Sequence, residues 1–306
     1  MQRLADPWIR LLALALCLGA LPAAAQIAGH GLPAPNRPLH ARLAEADVVA
    51  LGTIERVELG RIQVGDAVAL RGAPGERFAI KRAPSRAPDL TAGDRALLLL
   101  RGARTPYVWV DEPKEVMRLA DPAGEARWRD ALAELLAAPD AVAVRDVYLE
   151  WIDGTDQELR DAATRALADR RREPPLPIGR DVALTRARIA LDPRRPVSVR
   201  RASASIAVTD ADGMRALLAG TGAPGVDPGV VQLALTMGAL QSMDGIEGSV
   251  LAALRSEDRG VRKAALPAAA TVANTPAVQA ELERIAADSD DELAKAARRA
   301  LGGADR

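Results

Sequence analysis

The chain has 306 residues, enough for two domains; about half of them are apolar, but only 2% are aromatic. This composition favours helices that pack through alanine and leucine over an aromatic core. The 41 basic and 41 acidic residues cancel, so the chain lacks the positive excess that is typical of nucleic-acid-binding proteins.

Residues 1–25 have the pattern of a secretory signal peptide. An apolar run covers residues 11–21, and Ala23-Ala24-Ala25 provides a cleavage site before Gln26. The run is too short for a spanning helix. We therefore expect an exported protein, periplasmic or extracellular, with no transmembrane segment in the mature chain. Cys17 lies in a partial lipobox, which leaves a lipid anchor as the alternative.

Residues 26–43 are predicted to form a proline-rich linker. The linker contains His30 and His40, the two histidines of the chain. We interpret both as solvated, since a structural metal site needs about four fixed ligands. Cys17 is the one cysteine, so the mature chain has no disulfide and no thiolate metal site. We predict no cofactor.

Residues 44–120 are predicted to form a small antiparallel β-barrel. Short β-branched or alternating segments lie between glycine, proline and aspartate turns. The predicted strands cover residues 47–57, 76–82, 96–100 and 107–110.

This region also resembles the OB-type barrel of netrin-like and metalloproteinase-inhibitor-like domains. The resemblance lies in Ala46-Asp47-Val48-Val49-Ala50-Leu51-Gly52-Thr53, in the basic pair Lys81-Arg82, and in Thr91-Ala92-Gly93-Asp94 with the apolar run that follows. Inhibitors of that family act through a mature N-terminal cysteine, which this chain lacks. The resemblance therefore implies the fold and not the inhibitory mechanism.

A bridging helix is predicted over residues 121–139, because Asp121-Pro122 provides a helix start. Five helix pairs follow within residues 140–302, and a short tail covers 303–306. The predicted pairs are 141–153 with 156–171, 181–191 with 196–208, 212–218 with 228–240, 246–255 with 259–273, and 276–287 with 290–301.

A signature returns in the second helices at nearly fixed spacing. Its lead residues Val199, Val230, Val261 and Leu293 stand 31 (199 to 230), 31 (230 to 261) and 32 (261 to 293) residues apart. Such a period indicates stacked helix pairs. The signature resembles HEAT repeats, with an aspartate followed by Val-Arg and Ala-Leu at helical spacing, as in Asp258 and Val261-Arg262. The resemblance implies an all-α solenoid with an armadillo-type fold.

Basic side chains of the second helices are the candidate binding residues: Arg160, Arg194, Arg195, Arg200, Arg201, Arg262 and Lys263. One interpretation is a basic row for acidic groups of a partner. The other is a structural ladder, in which Asp156 and Asp258 bridge to the arginines four residues later, or a solvated helix end.

No arrangement in the sequence supports catalysis. There is no Gly-x-Ser-x-Gly elbow, and neither histidine falls in a predicted folded domain. We predict a non-catalytic scaffold that binds a protein or peptide through the concave face of the repeats. The alternative is a regulator or inhibitor of a cell-envelope enzyme that acts through the barrel.

Overall fold

The structure is a computed structural model and describes residues 37–81, 90–110, 117–119, 121–168, 175–287 and 292–302. These residues all belong to one compact unit. The predicted signal peptide, most of the predicted linker and the tail lie outside these residues. The strands are β1 (Val48–Glu58), β2 (Arg61–Arg71), β3 (Phe78–Lys81), β4 (Arg95–Arg101), β5 (Val108–Trp109) and β6 (Met117–Arg118).

The helices are α1 (Leu39–Glu45), α2 (Pro122–Ala137), α3 (Ala141–Asp153), α4 (Gln157–Ala168), α5 (Arg180–Leu191), α6 (Val197–Ala207), α7 (Ala211–Gly220), α8 (Pro228–Leu240), α9 (Ile246–Leu254), α10 (Arg259–Thr271), α11 (Pro276–Ala287) and α12 (Glu292–Gly302). The fold is therefore an antiparallel, barrel-like sheet followed by a helical region.

The sheet is nearly closed. Its strand order is β3-β2-β1-β4-β5, and β6 also pairs with β4. A bridge between Ile80 and Tyr107 links the two ends, with hydrogen bonds from the Lys81 N–H to the Tyr107 carbonyl (2.7 Å) and from the Tyr107 N–H to the Ala79 carbonyl (2.9 Å). Phe78 packs edge-on against Tyr107 at the same seam. The two ends of the sheet are therefore joined at this one seam.

Residues 48–51 of β1 and 96–100 of β4 are apolar on both faces of the sheet. On one face, residues such as Ala50, Leu98 and Leu100 fill the barrel core. On the other face, Leu51 and Leu97 belong to a second core, which also contains side chains of the helices. Successive strand residues point to opposite faces, so a wholly apolar strand must be covered on both sides. The helices supply the outer cover.

The junction between sheet and helices is a continuous core. Trp128 and Leu132 of α2 and Tyr148 and Trp151 of α3 are buried together with the outer faces of β1 and β4. Trp151 packs edge-on against both Trp128 and Tyr148. Three of the few aromatic residues of the chain thus lie in this one cluster, where large rigid side chains bury the most area.

An ion pair lies beside this core. The Arg95 guanidinium of β4 donates to both carboxylate oxygens of Glu125 in α2, at 2.9 and 2.6 Å. It also donates to the Asp66 carbonyl at 2.6 Å. The hydrogen bond from Arg95 lowers the pKa of the Glu125 carboxyl, although burial opposes the shift. The paired charges therefore fix α2 against the sheet.

Helix α1 differs from the linker predicted over residues 26–43. Leu39 and Leu43, one turn apart, are buried in the junction core. His40, which was predicted to be solvated, is partly buried: its ring packs edge-on against Tyr148, and its backbone N–H donates to the Tyr148 hydroxyl at 3.1 Å. The sequence did not predict α1, because a seven-residue helix depends on tertiary packing and not on its own helix propensity.

The helices after α2 follow a regular arrangement of five pairs, α3–α4 to α11–α12. Within each pair the two helices contact each other. The second helices α4, α6, α8, α10 and α12 each contact the next second helix, and the first helices from α5 onward each contact the next first helix. The positions of the sequence signature explain this stacking: Val199, Val230, Val261 and Leu293 are all buried.

Candidate functional site

The candidate basic residues all lie on or just before the second helices, but they do not form one surface. Arg160 and Arg200 are 5% and 4% exposed. Arg262 is half-buried, whereas Arg194, Arg195, Arg201 and Lys263 are exposed. The structure therefore separates the seven residues into an inner group and an outer group.

The inner arginines bind backbone carbonyls at or just after the end of the preceding helix, and Arg200 also binds a carbonyl in the loop before α8. Arg160 donates from Nε to the Ile152 carbonyl at 3.0 Å, and also to the Gly154 carbonyl. Arg200 donates to the carbonyls of Ala190 (3.1 Å) and Gly225 (2.9 Å). The last carbonyls of a helix lack intrahelical partners, and a cation there also complements the helix dipole. These arginines therefore fix the joints between helices.

Arg262 has the same role at the joint between α9 and α10, where it donates to the Ser256 carbonyl at 2.8 Å. The predicted Asp–Arg ladder is absent at these positions. Asp258 accepts from the Gly260 and Val261 N–H groups, as a helix cap. Asp156 caps α4 through the Leu159 N–H and pairs with Arg127 at 2.7 Å.

The outer residues face solvent, and two of them pair with the next second helix. Arg201 donates to both carboxylate oxygens of Asp227, at 2.8 and 3.2 Å, and a Cβ on Gly229 would lie 2.7 Å from the Arg201 Nε. Glycine thus leaves room for this pair. Burial opposes ionisation of Asp227, but Arg201 and the Val230 N–H together lower the pKa of that carboxyl.

Lys263 pairs with Glu292 at 3.2 Å, and both side chains are largely exposed. An exposed pair of this kind contributes only about 0–1 kcal/mol to stability. Arg195 reaches Asp192 at 4.0 Å, and Arg194 lies exposed in the same turn. The outer cations are therefore held weakly, with the exception of Arg201, and their charge remains accessible.

Helix α8 contributes a surface that the sequence analysis missed. It contains no charged residue over Pro228–Leu240. Its inner side is marked by Gly238, where a Cβ would lie 2.9 Å from Ile246 and 3.1 Å from Leu218 of the first helices. Leu233, Met237 and Leu240 lie away from that side at helical spacing. Leu240 is 53% exposed, and the other two are half-buried.

We call Leu233, Thr236, Met237 and Leu240 the α8 stripe. The signal for it was present in the sequence, because the stripe residues recur at spacings of three and four in a helix that has no charged side. Two residues after the lead residue of the signature, α6 has Arg201, α10 has Lys263 and α12 has Lys295, all exposed. At the same position α8 has the half-buried, neutral Gln232. The stripe is therefore an apolar centre among charged helices.

The described residues hold neither a cluster of metal-ligating side chains nor a helix suited to span a membrane. Within them, no group of three or more histidine, cysteine or acidic side chains is placed to hold a metal ion. None of their helices is long and apolar enough to cross a membrane. In comparisons with known proteins, no family model, no curated protein and no solved structure matches this chain.

The inner arginines give a direct prediction. Replacing Arg200 with methionine keeps much of the volume but leaves the Ala190 and Gly225 carbonyls without their donor. We expect the substitution to lower the free energy of unfolding by about 1–3 kcal/mol, measured by urea denaturation. Arg194→Met is the matched control and should change it by less than about 0.5 kcal/mol. Equal effects of the two changes would contradict the structural role of Arg200.

The partly buried His40 predicts a pH effect. Burial lowers the pKa of the His40 imidazole, and Tyr148 is the titratable group that contacts it. Because the unfolded chain binds the proton more readily, stability is full above the unfolded pKa of about 6.5 and falls as pH drops below it. His40→Gln should remove this loss between about pH 7.5 and pH 5.5 in denaturant titrations. An unchanged pH dependence would show that His40 is solvated.

Proposed function

We propose that this chain is an exported, non-catalytic scaffold that binds a partner protein through the outer face of its second helices. In this proposal the helical region is a HEAT-like α-solenoid, the second helices line its concave face, and the sheet is an OB- or netrin-like barrel. The repeated pair-to-pair contacts support the solenoid. The closed strand order supports the barrel.

The observation that carries the proposal is the α8 stripe. A helix in the middle of an array normally presents a polar side to water. In α8 the side away from Gly238 holds the 53% exposed Leu240, beside Leu233 and Met237, which are half-buried and pack partly against the helical core. Neighbouring apolar side chains on a surface mark interaction sites, whereas single ones do not. The inner arginines hold adjacent helices in place and so pre-form this surface.

A second candidate is contact through the barrel. Leu59 lies in the turn between β1 and β2 and is fully exposed. A leucine at the tip of a hairpin is suited to insertion into a pocket of an enzyme, as the alternative of an envelope-enzyme regulator requires. It is one side chain rather than a surface, so we place it second.

Site-specific photocrosslinking in cells that produce the protein distinguishes the two. A photoreactive residue is placed in the full chain at Leu240, at Leu59, or at Val142, which is a comparably exposed apolar position on first helix α3. We expect a discrete adduct from Leu240 and none from Val142. Met237→Glu should abolish the adduct while the far-UV circular dichroism is retained, because burying a carboxylate against an apolar partner is unfavourable.

Two outcomes contradict the proposal. An adduct from Leu59 that Met237→Glu leaves intact would favour the barrel as the binding region. Equal adducts from Leu240 and Val142 would indicate unspecific contact and exclude a dedicated face.

A further inference from the structure

Charge is segregated between the two rows of helices. The first helices α5, α7, α9 and α11 contain five basic and five acidic residues, and therefore balance. The second helices α6, α8, α10 and α12 contain eight basic residues and one acidic residue. These nine are Arg200, Arg201, Arg259, Arg262, Lys263, Lys295, Arg298, Arg299 and Glu292. Counted over the helices alone, the second-helix row is therefore positive in a chain that is neutral as a whole.

Acids also stand in the segments before these helices, at Asp227, Glu257, Asp258, Asp288, Asp290 and Asp291. Asp227 and Asp258 stand at helix starts, where each accepts backbone N–H bonds. The positive end of the helix dipole and these N–H groups stabilise the carboxylates there. Asp227 is in addition held by Arg201. These two acids are therefore engaged by the helices that they cap.

Exposed cations remain on α10 and α12. Lys263 is 63% exposed in its weak pair with Glu292. Lys295 and Arg299 are exposed on α12, and no hydrogen bond or ion pair engages their side chains among the residues that the structure describes. Lys295 and Arg299 lie one helical turn apart and therefore on one side of α12. They are available to a ligand without breaking a structural contact.

The apolar centre and the cations belong to one surface. Helix α8 contacts α10, and α10 contacts α12, with packed helices about 8–10 Å apart. Lys263 and Lys295 occupy the same register position as Gln232 of α8, next to the α8 stripe. The α8 stripe and the cations of α12 are therefore separated by two helix spacings, about 20 Å.

We propose that the occupant of this surface is an acidic, amphipathic segment of a partner protein. Its apolar side chains cover the α8 stripe, and its carboxylates face Lys263, Lys295 and Arg299. Complementary charge sets the register and speeds association, while the apolar contact supplies the affinity. This inference rests on the proposed function, because it gives the chemistry of the partner on that same face.

A selection from a random peptide library on the full-length chain tests the inference without assuming a partner. We expect the enriched peptides to combine acidic and large apolar residues. One synthesised, labelled peptide is then titrated by fluorescence anisotropy. Lys263→Glu with Lys295→Glu should weaken its binding about tenfold or more. The control, Arg188→Glu with Arg104→Glu, makes the same charge change at exposed positions on α5 and beyond β4 and should leave binding unchanged.

The dependence of peptide binding on salt and on a substitution in the α8 stripe tests the inference further. Binding should weaken as salt rises from about 0.05 M to about 0.5 M, since exposed charges are screened over shorter distances. Met237→Glu should also weaken it about tenfold or more, whereas Val142→Glu should not.

The outcomes separate this inference from the proposed function. Neutral or basic peptides that bind and are lost with Met237→Glu would overturn the acidic partner and leave the binding face intact. Acidic peptides insensitive to Met237→Glu would overturn both. If no peptide is enriched, the inference of a segment-type partner is wrong, and the Leu240 crosslink decides the face independently.

Discussion

The structure depends on one shared apolar core between the sheet and the helices. Strands β1 and β4 bury one face inside the barrel and the other against α1, α2 and α3. Trp128, Tyr148 and Trp151 fill this junction. The Tyr148 hydroxyl accepts the His40 N–H at the start of α1, and burial raises the pKa of that hydroxyl. The sheet and the helices therefore share one hydrophobic core and are not two domains joined by a linker.

The rest of the array is held by arginines that act inside the protein. Arg160 and Arg200 bind carbonyls at the ends of α3 and α5, and Arg186 of α5 pairs with Asp153 at 2.6 and 3.0 Å. A buried guanidinium that lost these acceptors would be costly. Arg160 and Arg200 therefore fix the two helices of their own pairs, and Arg186 fixes the second pair to the first. In the proposed function, this rigidity would keep the outer face of the second helices pre-formed, so that ordering it costs little when a partner binds.

Much of the helical region could be predicted from the sequence. The predicted 246–255 and 276–287 agree with the observed helices within a residue, because period, caps and apolar spacing are local signals. Strand β2 was missed, since its alternation breaks at Gly65-Asp66, where Asp66 has φ 48°. The apolar run 96–100 was predicted to be a strand. Both of its faces are buried, and only the tertiary structure shows that helices cover the outer face.

The candidate site was harder to predict for a related reason. The sequence locates arginines at repeated positions, but their acceptors are carbonyls of another helix, which carry no sequence signature. Burial of Arg200 and exposure of Arg194 are therefore indistinguishable from sequence alone. The α8 stripe had a readable signal, the absence of charge over a whole helix, whereas the predicted site consists of basic residues on the neighbouring helices.

The shared core is tested most directly by hydrogen exchange on Leu132→Ala. Leu132 is fully buried in the junction, and its truncation should cost about 2–5 kcal/mol. If sheet and helices share one core, amides in β1, β4 and α3 should all exchange faster by a similar factor, and the exposed control Leu240→Ala should change none of them. Faster exchange in α3 alone, with β1 and β4 unchanged, would contradict the account and show that the sheet folds independently of the helices.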